Sequence, residues 1–270
     1  MRIGYIDYLN CWPFYYHMIE KKPLKDINIV PGFPAELNRM MKEKKLDLSP
    51  ISSATYADIK DEVLLLPEFC LSSVGYVGSV IMCSNYPIEE LHNKKVGLSG
   101  ASHTSRVLLK ILLEKFYGIE PYYLQAGPFP DLAGHDAALI IGNDAMRGCA
   151  QKAPYAYDLG ELWLKKTGFP VVFAVFAVQK NVIRENLPAL KAVINSYRDS
   201  LQSLVTEKGN VIKSAGEKYP DILYDINGYY DTLQFEFTDS LKTALKYYLS
   251  AAEEINLLPK VDALSFLEIG

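Results

Sequence analysis

Apolar residues along the chain follow two rhythms, short unbroken runs and stripes at three- and four-residue spacing. Arg2 to Tyr8 is the first run and predicts a strand. The turn Asn10-Cys11-Trp12-Pro13 follows, then a helix from about Phe14 to Glu20. Ile27 to Val30 predicts the next strand. Pro34-Ala35-Glu36-Leu37 opens a helix, with proline at an early position where its missing N–H costs nothing. Leu37, Met40 and Met41 form its apolar stripe. Leu46 to Ile51 reads as a short strand, and Ser52-Ser53 as the cap of a helix over Ala54 to Ile59. Strand and helix alternating at these intervals predict parallel βαβ units.

A second block repeats the pattern. Lys95 to Leu98 reads as a strand, Ser99 to Ser105 as a turn of small residues, and Val107, Leu108, Ile111 and Leu112 recur at helical spacing. Ala137 to Ile141 predicts a strand ending in Gly142-Asn143-Asp144, with a helix after it. Two further apolar runs, Ser79 to Cys83 and Pro170 to Val178, flank this block and are expected to cross between lobes. From about Arg184 the pattern is mostly helical, clearest over Asn181 to Ser203 and Asp239 to Glu254, and these helices are expected to return to the first lobe. The prediction is an α/β protein of two lobes, residues 1–83 plus 177–270 and residues 84–176, with a ligand held between them.

Composition narrows the function classes. Of the 270 residues 49% are hydrophobic and 22% charged, which excludes a disordered chain. The net charge of −4 predicts neither a nucleic-acid nor a membrane footprint but leaves room for a locally positive pocket. No apolar run approaches the roughly 18 residues of a membrane span. Met1-Arg2-Ile3-Gly4-Tyr5 enters a strand directly, without a leader pattern, so a cytoplasmic location is expected. Cys11, Cys70, Cys83 and Cys149 are scattered and read as reduced, mostly buried residues.

His17, His92, His103 and His135 lie far apart, and no H-E-x-x-H or paired Cys/His spacing predicts a metal. Dinucleotide, P-loop and nucleophilic-serine signatures are also missing. What remains is a set of small polar turns at the C-terminal ends of predicted strands, where open α/β sheets bind ligands. The clearest is Ser102-His103-Thr104-Ser105, whose hydroxyls and helix-start N–H groups suit an anion, although the same residues would serve as a helix cap. Ser52-Ser53 is a second turn of this kind, open to the same two readings. Asn10 ends the first strand, where its amide can meet ligand or its own backbone. Ser79, after Gly78, and Asn143, after Gly142, complete the ring.

These residues carry a resemblance. Arg2-Ile3-Gly4 leading to Tyr8-Leu9-Asn10, then Pro34 to Asn38, Leu46 to Ser53 with Tyr56, and Gly78-Ser79-Val80 resemble the chorismate dehydratases of the futalosine route to menaquinone. Ser102 to Ser105, Ile141 to Asp144, Tyr157 to Gly160 and Thr167 to Pro170 with Phe173-Ala174 continue it in order, so it covers about residues 2–178. Two departures stand out: Cys11-Trp12 where smaller residues are expected, and Asn143 where an acidic residue is usual.

The resemblance implies a type II periplasmic-binding-protein fold and conversion of chorismate to 3-[(1-carboxyvinyl)oxy]benzoate and water, without a cofactor. Loss of the ring hydroxyl and the neighbouring ring proton leaves an aromatic ring, so the step is strongly downhill. The matched motifs contain no evident protein base and no arginine clamp. A substrate carboxylate can then take the proton, while Asn10 holds the reacting part and Ser52, Ser53, Ser79, Ser102, His103, Thr104, Ser105 and Asn143 bind the dicarboxylate. Two rivals share the two-lobed fold, the sister dihydroxynaphthoate synthase and a non-catalytic binding protein for a small anion.

Overall fold

The computed structural model describes residues 1–222 and 224–268, apart from the side chains of Cys149 and Ala150. Two sheets organise it. The first contains β1 (Arg2–Ile6), β2 (Asn28–Gly32), β3 (Leu48–Ser52), β4 (Val63–Ser73), β10 (Val171–Gln179) and β11 (Leu233–Glu236), in the order β11-β4-β10-β3-β1-β2. The second contains β5 (Val80–Ser84), β6 (Lys95–Leu98), β7 (Tyr122–Gln125), β8 (Ala137–Ile141) and β9 (Tyr155–Asp158), in the order β7-β6-β8-β5-β9. Both are mixed: β1 runs parallel to β2 and β3, and β6 to β7 and β8, whereas β10 and β5 are antiparallel to both of their neighbours. The chain is thus a two-lobed α/β protein.

The apolar runs expected to cross between lobes do not cross. Val80–Ser84 pairs only within the second sheet and Val171–Gln179 only within the first. Their continuous apolarity has another cause: both are interior strands covered on both faces, and such strands have no polar side to show. The passages between sheets are the stretches 74–79 and 159–170, the second containing helix α5 (Leu159–Thr167). Asp158 caps α5 by accepting from Glu161 N–H, and its carboxylate also takes Val77 and Gly78 N–H. One buried side chain therefore fixes both passages.

Helices α1 (Trp12–Tyr16), α2 (Pro34–Lys42), α3 (Ser53–Ile59) and α4 (His103–Lys110) begin after strands or their turns, as the alternation predicts. The predicted helix over Asn181 to Ser203 is two, α6 (Val182–Glu185) and α7 (Leu187–Thr206), separated at Asn186. Pro188 accounts for the break, because it has no N–H to continue the ladder to Arg184 and its ring crowds that carbonyl, whereas it is at home in the first turn of α7. α7 packs on α1, where Phe14 sits among Phe69, Phe176, Tyr197 and Phe235 at ring-centroid distances of 4.5–6.1 Å. After α8 (Lys208–Lys218) and α9 (Ile226–Thr232), the last helix, α10 (Asp239–Glu254), lies against β10 and α3 but also against α4 of the second lobe. Cys11 and Cys70 are buried thiols and Cys83 is buried; Cys149's side chain lies outside the described residues. No helix among the described residues is long and apolar enough to cross a membrane.

Candidate active site

The C-terminal ends of β1, β3 and β8 converge on a cavity between the lobes. Ile6, Asn10, Ser52, Leu71, Ala174 and Leu233 line it from the first lobe, and Val80, Ser102, Ser105, Ile141 and Gly142 from the second. Val77 and Ser79, from the passage that Asp158 ties down, close one side. Phe173 enters because β10 bulges there: Val172 pairs with Ser72 and Ala174 with Leu71, leaving Phe173 opposite no partner. Its unpaired carbonyl accepts from the Thr104 hydroxyl at 2.9 Å, so the same bulge aims a ring into the cavity and binds the second lobe.

The serine hydroxyls in the wall are poised as donors. A hydroxyl has one proton and two acceptor sites. Ser52 Oγ accepts from Asn38 Nδ2 at 3.0 Å, and Ser79 Oγ accepts from the Tyr229 hydroxyl at 2.8 Å. Ser102 Oγ accepts from both Ser105 N–H and the Ser105 hydroxyl, at 3.3 and 3.1 Å. Each of the three has its acceptor side engaged by protein and its own proton left for a guest. Ser52 and Ser102 also stand at the starts of α3 and α4, whose positive ends face the same space. Behind Ser102, Arg106 Nε donates to its carbonyl at 3.2 Å, bringing a cation close without lining the cavity. Such a wall suits an anion that accepts several hydrogen bonds.

Two buried polar atoms at this cavity lack a hydrogen-bond partner in the protein, Asn10 Oδ1 and the Tyr8 hydroxyl. Buried polar groups are ordinarily satisfied, and an orphan costs about 1–3 kcal/mol. Asn10 lies in a single 3₁₀ turn, Leu9–Cys11, that begins just after β1. Beside it the Tyr229 phenol is held protonated, its pKa raised by burial against the lowering effect of its bonds to Ser79 and Asn10.

Five of the nine residues that the sequence proposed for substrate contact line the cavity: Asn10, Ser52, Ser79, Ser102 and Ser105. The other four are spent on the frame. Ser53 Oγ donates to the Val172 carbonyl, and Thr104 Oγ1, besides donating to Phe173, accepts from Ala54 N–H at 3.3 Å. Asn143 Oδ1 accepts from Leu9 N–H at 2.9 Å, tying β8's end to the opening turn. His103 turns outward to Thr55 Oγ1, 3.2 Å away, and Asp58; burial pushes its pKa down to about 4. The Ser52-Ser53 pair also differs from a plain helix cap, since Ser52's side chain makes no capping bond and is gripped by Asn38 instead. Tyr8, Asn38, Phe173 and Tyr229 were not foreseen as parts of the site. Tyr8 and Asn38 stood within distinctive motifs, but nothing in the helical tail marked Tyr229. Among the described residues no cluster of three His, Cys, Asp or Glu side chains is placed to hold a metal ion.

A family model described as menaquinone biosynthesis matches residues 1–254. A chorismate dehydratase of Thermus thermophilus is 30% identical over 214 residues, 73% of this chain and 75% of the relative. One from Campylobacter jejuni is 26% identical over 95% of this chain and all of its own length. A 1,4-dihydroxy-6-naphtoate synthase of Thermus thermophilus is 23% identical over 67% of each chain. Among solved structures, a protein of Archaeoglobus fulgidus superposes with a TM-score of 0.77 at 19% identity, covering 95% of this chain and 98% of its own. The periplasmic aliphatic sulphonate binding protein SsuA of Escherichia coli follows the same fold, with a TM-score of 0.64 at 14% identity over 100% and 94% of the two chains.

Proposed function

Since the chain belongs to the menaquinone biosynthesis family, we propose that it dehydrates chorismate to 3-[(1-carboxyvinyl)oxy]benzoate and water in the cavity between its lobes. The observation that carries this reading is the character of the wall. Ser52, Ser79 and Ser102 offer hydroxyl protons, two helix starts add their dipoles, and among the described residues no Asp, Glu, His, Lys or Arg lines the cavity. A compact dicarboxylate finds donors there without a fixed countercharge.

The same lining supports a particular fate for the ring proton. Among the described residues no carboxylate or imidazole lines the cavity, which supports one of the substrate's own carboxylates as the acceptor. The protein supplies placement, which alone is worth many powers of ten when reacting groups are held in register. Asn10 supports the reacting part: its buried carbonyl accepts from the substrate and its amide N–H donates, strengthening as charge moves. The gain in aromaticity drives the step, and no cofactor is required. The reading assigns the protein to the futalosine route and to the cytoplasm.

Incubation of the purified protein with chorismate tests it. Chorismate absorbance should decay while a product one water lighter by mass accumulates. An unchanged chorismate spectrum at stoichiometric protein would refute the dehydratase reading and favour a binding protein; consumption of a larger cyclic precursor instead would point to the sister synthase.

A further inference from the structure

Elimination also requires that the departing ring hydroxyl acquire a proton, since hydroxide leaves poorly. Serine hydroxyls and the Asn10 amide are too weakly acidic to supply it. Among the described residues lining the cavity, Tyr8 carries the one phenol, intrinsically a stronger acid than an aliphatic hydroxyl or an amide, although burial raises its pKa from the reference value near 10. Its oxygen is buried and has no partner in the protein, and the residue lines both this cavity and the neighbouring pocket that contains Asp144 and Arg147. Other buried phenols are satisfied: Tyr197 donates to Tyr15, Tyr229 to Ser79, Tyr230 to the Leu9 carbonyl and Tyr248 to the Thr104 carbonyl. A second orphaned phenol, that of Tyr123, lies away from the cavity.

The Tyr8 ring is also fixed in place. Gly142, at the end of β8, has φ +62°, and any Cβ there would come within 2.6 Å of the ring. Only glycine fits this backbone and this approach. Phe33 packs on the ring at a centroid distance of 6.0 Å. The ring is thus clamped between lobes, in a residue that lines the cavity.

We infer that Tyr8 is the general acid of the dehydration, an inference that rests on the dehydratase reading. As the carbon–oxygen bond breaks, the oxygen leaves with the bonding pair and takes the phenolic proton, becoming water. The ring proton passes to a substrate carboxylate, and its carbon–hydrogen pair becomes the new ring double bond. The carboxyl group then returns a proton to the tyrosinate, so enzyme and charge are restored. Burial, reinforced by the Asp144 charge and opposed by Arg147, keeps the phenol protonated until a stronger base, nascent hydroxide, develops beside it.

Tyr8→Phe removes only the hydroxyl and keeps the ring packing, so the variant should melt at the wild-type temperature or above it. Its KM for chorismate should stay within a few-fold, while kcat falls by about 10²-fold or more. On an analogue with fluoride in place of the ring hydroxyl, which leaves unprotonated, wild type and variant should differ only a few-fold. Wild type itself should turn over chorismate, but not the fluoro analogue, more slowly in D₂O. Wild-type kcat in Tyr8→Phe, or an equal loss on both substrates, would overturn the acid role while leaving the dehydratase reading intact. A wild-type protein that leaves chorismate untouched defeats that reading, and this inference with it.

Discussion

The backbone N–H of Leu9 donates to Oδ1 of Asn143 across 2.9 Å, so the turn that carries Asn10 is held by the second lobe. This bond is one of several across the cleft. Thr104 Oγ1 reaches the Phe173 carbonyl, the Tyr248 hydroxyl reaches the Thr104 carbonyl at 3.0 Å, and Arg147, held by Asp144 of its own lobe, pairs with Asp221 of the other. The geometry is that of a clamp shut on its cavity, and the residues that shut it alternate along the chain with those that line it.

Asn143→Ala should therefore loosen the clamp. The Leu9 N–H is buried, and losing its acceptor should cost about 1–3 kcal/mol. KM for chorismate should rise several-fold with the lower melting temperature, because the opening turn loses its anchor. Asn143→Asp keeps the acceptor oxygen and should recover most of the stability. Denaturant unfolding of the two variants checks this; an Ala variant as stable as wild type would remove the anchoring role.

This alternation explains what could be read in the sequence. Interior strands such as β1, β3 and β8 announced themselves by apolar runs, and the polar turns at their ends marked Asn10, Ser52 and Ser102. Three strands left unread, β7, β9 and β11, lie at sheet edges with half or more of their residues exposed. The fourth, β4, is interior, but Pro67 and Glu68 interrupt its apolar run. Within a turn the sequence could not separate neighbours. Thr104 and Ser105 are chemically alike, yet one step along a helix rotates a side chain by about 100°. Which of them meets the cavity depends on the Phe173 bulge, seventy residues away in the chain. Tyr229 orients Ser79 from a tail that carried no motif at all.

Asn38 shows the same dependence and can be tested. Buried on α2, it accepts from Ser52 N–H at 2.9 Å and donates to Ser52 Oγ at 3.0 Å. Asn38→Ala leaves that N–H unpaired, costing about 1–3 kcal/mol, and frees the hydroxyl to turn away from the cavity. Stability and KM should worsen together. Ser52→Ala, which keeps the backbone bond, should raise KM with little change in melting temperature. If Asn38→Ala alters melting alone, Ser52 contributes no oriented donor.

His103 predicts a pH dependence of stability. In the unfolded chain its imidazole protonates near 6.5; in the fold burial lowers this to about 4, with Arg106 and Lys42 adding to the effect and Asp58 opposing it. Between these values the unfolded state binds more protons, so stability is complete above pH 6.5 and declines as pH falls toward 4. The loss attributable to His103 should reach about 3 kcal/mol at most. His103→Gln cannot titrate, and its melting temperature should change less across this window. Parallel curves for variant and wild type would show that other groups govern the acid limb.

Asn10 carries the largest consequence. Its Oδ1 is buried without a partner, so the free protein bears a cost that bound substrate can relieve. Asn10→Ala should consequently leave the melting temperature unchanged or raise it, since an unsatisfied acceptor disappears and no core is emptied. Turnover should fall by about 10²-fold or more, the usual effect of losing a hydrogen bond that strengthens in the transition state. Asn10→Asp is the sharper variant, nearly identical in shape but placing a negative charge beside a dicarboxylate in a cavity that no cation lines among the described residues. Both KM and kcat should deteriorate there, and more at neutral pH than at a pH low enough to protonate the aspartate. Melting curves and steady-state kinetics on the two variants separate the roles. If both turn over chorismate at the wild-type rate, Asn10 only shapes the turn, and the hydrogen bonds that speed the reaction belong to the serines and Tyr8.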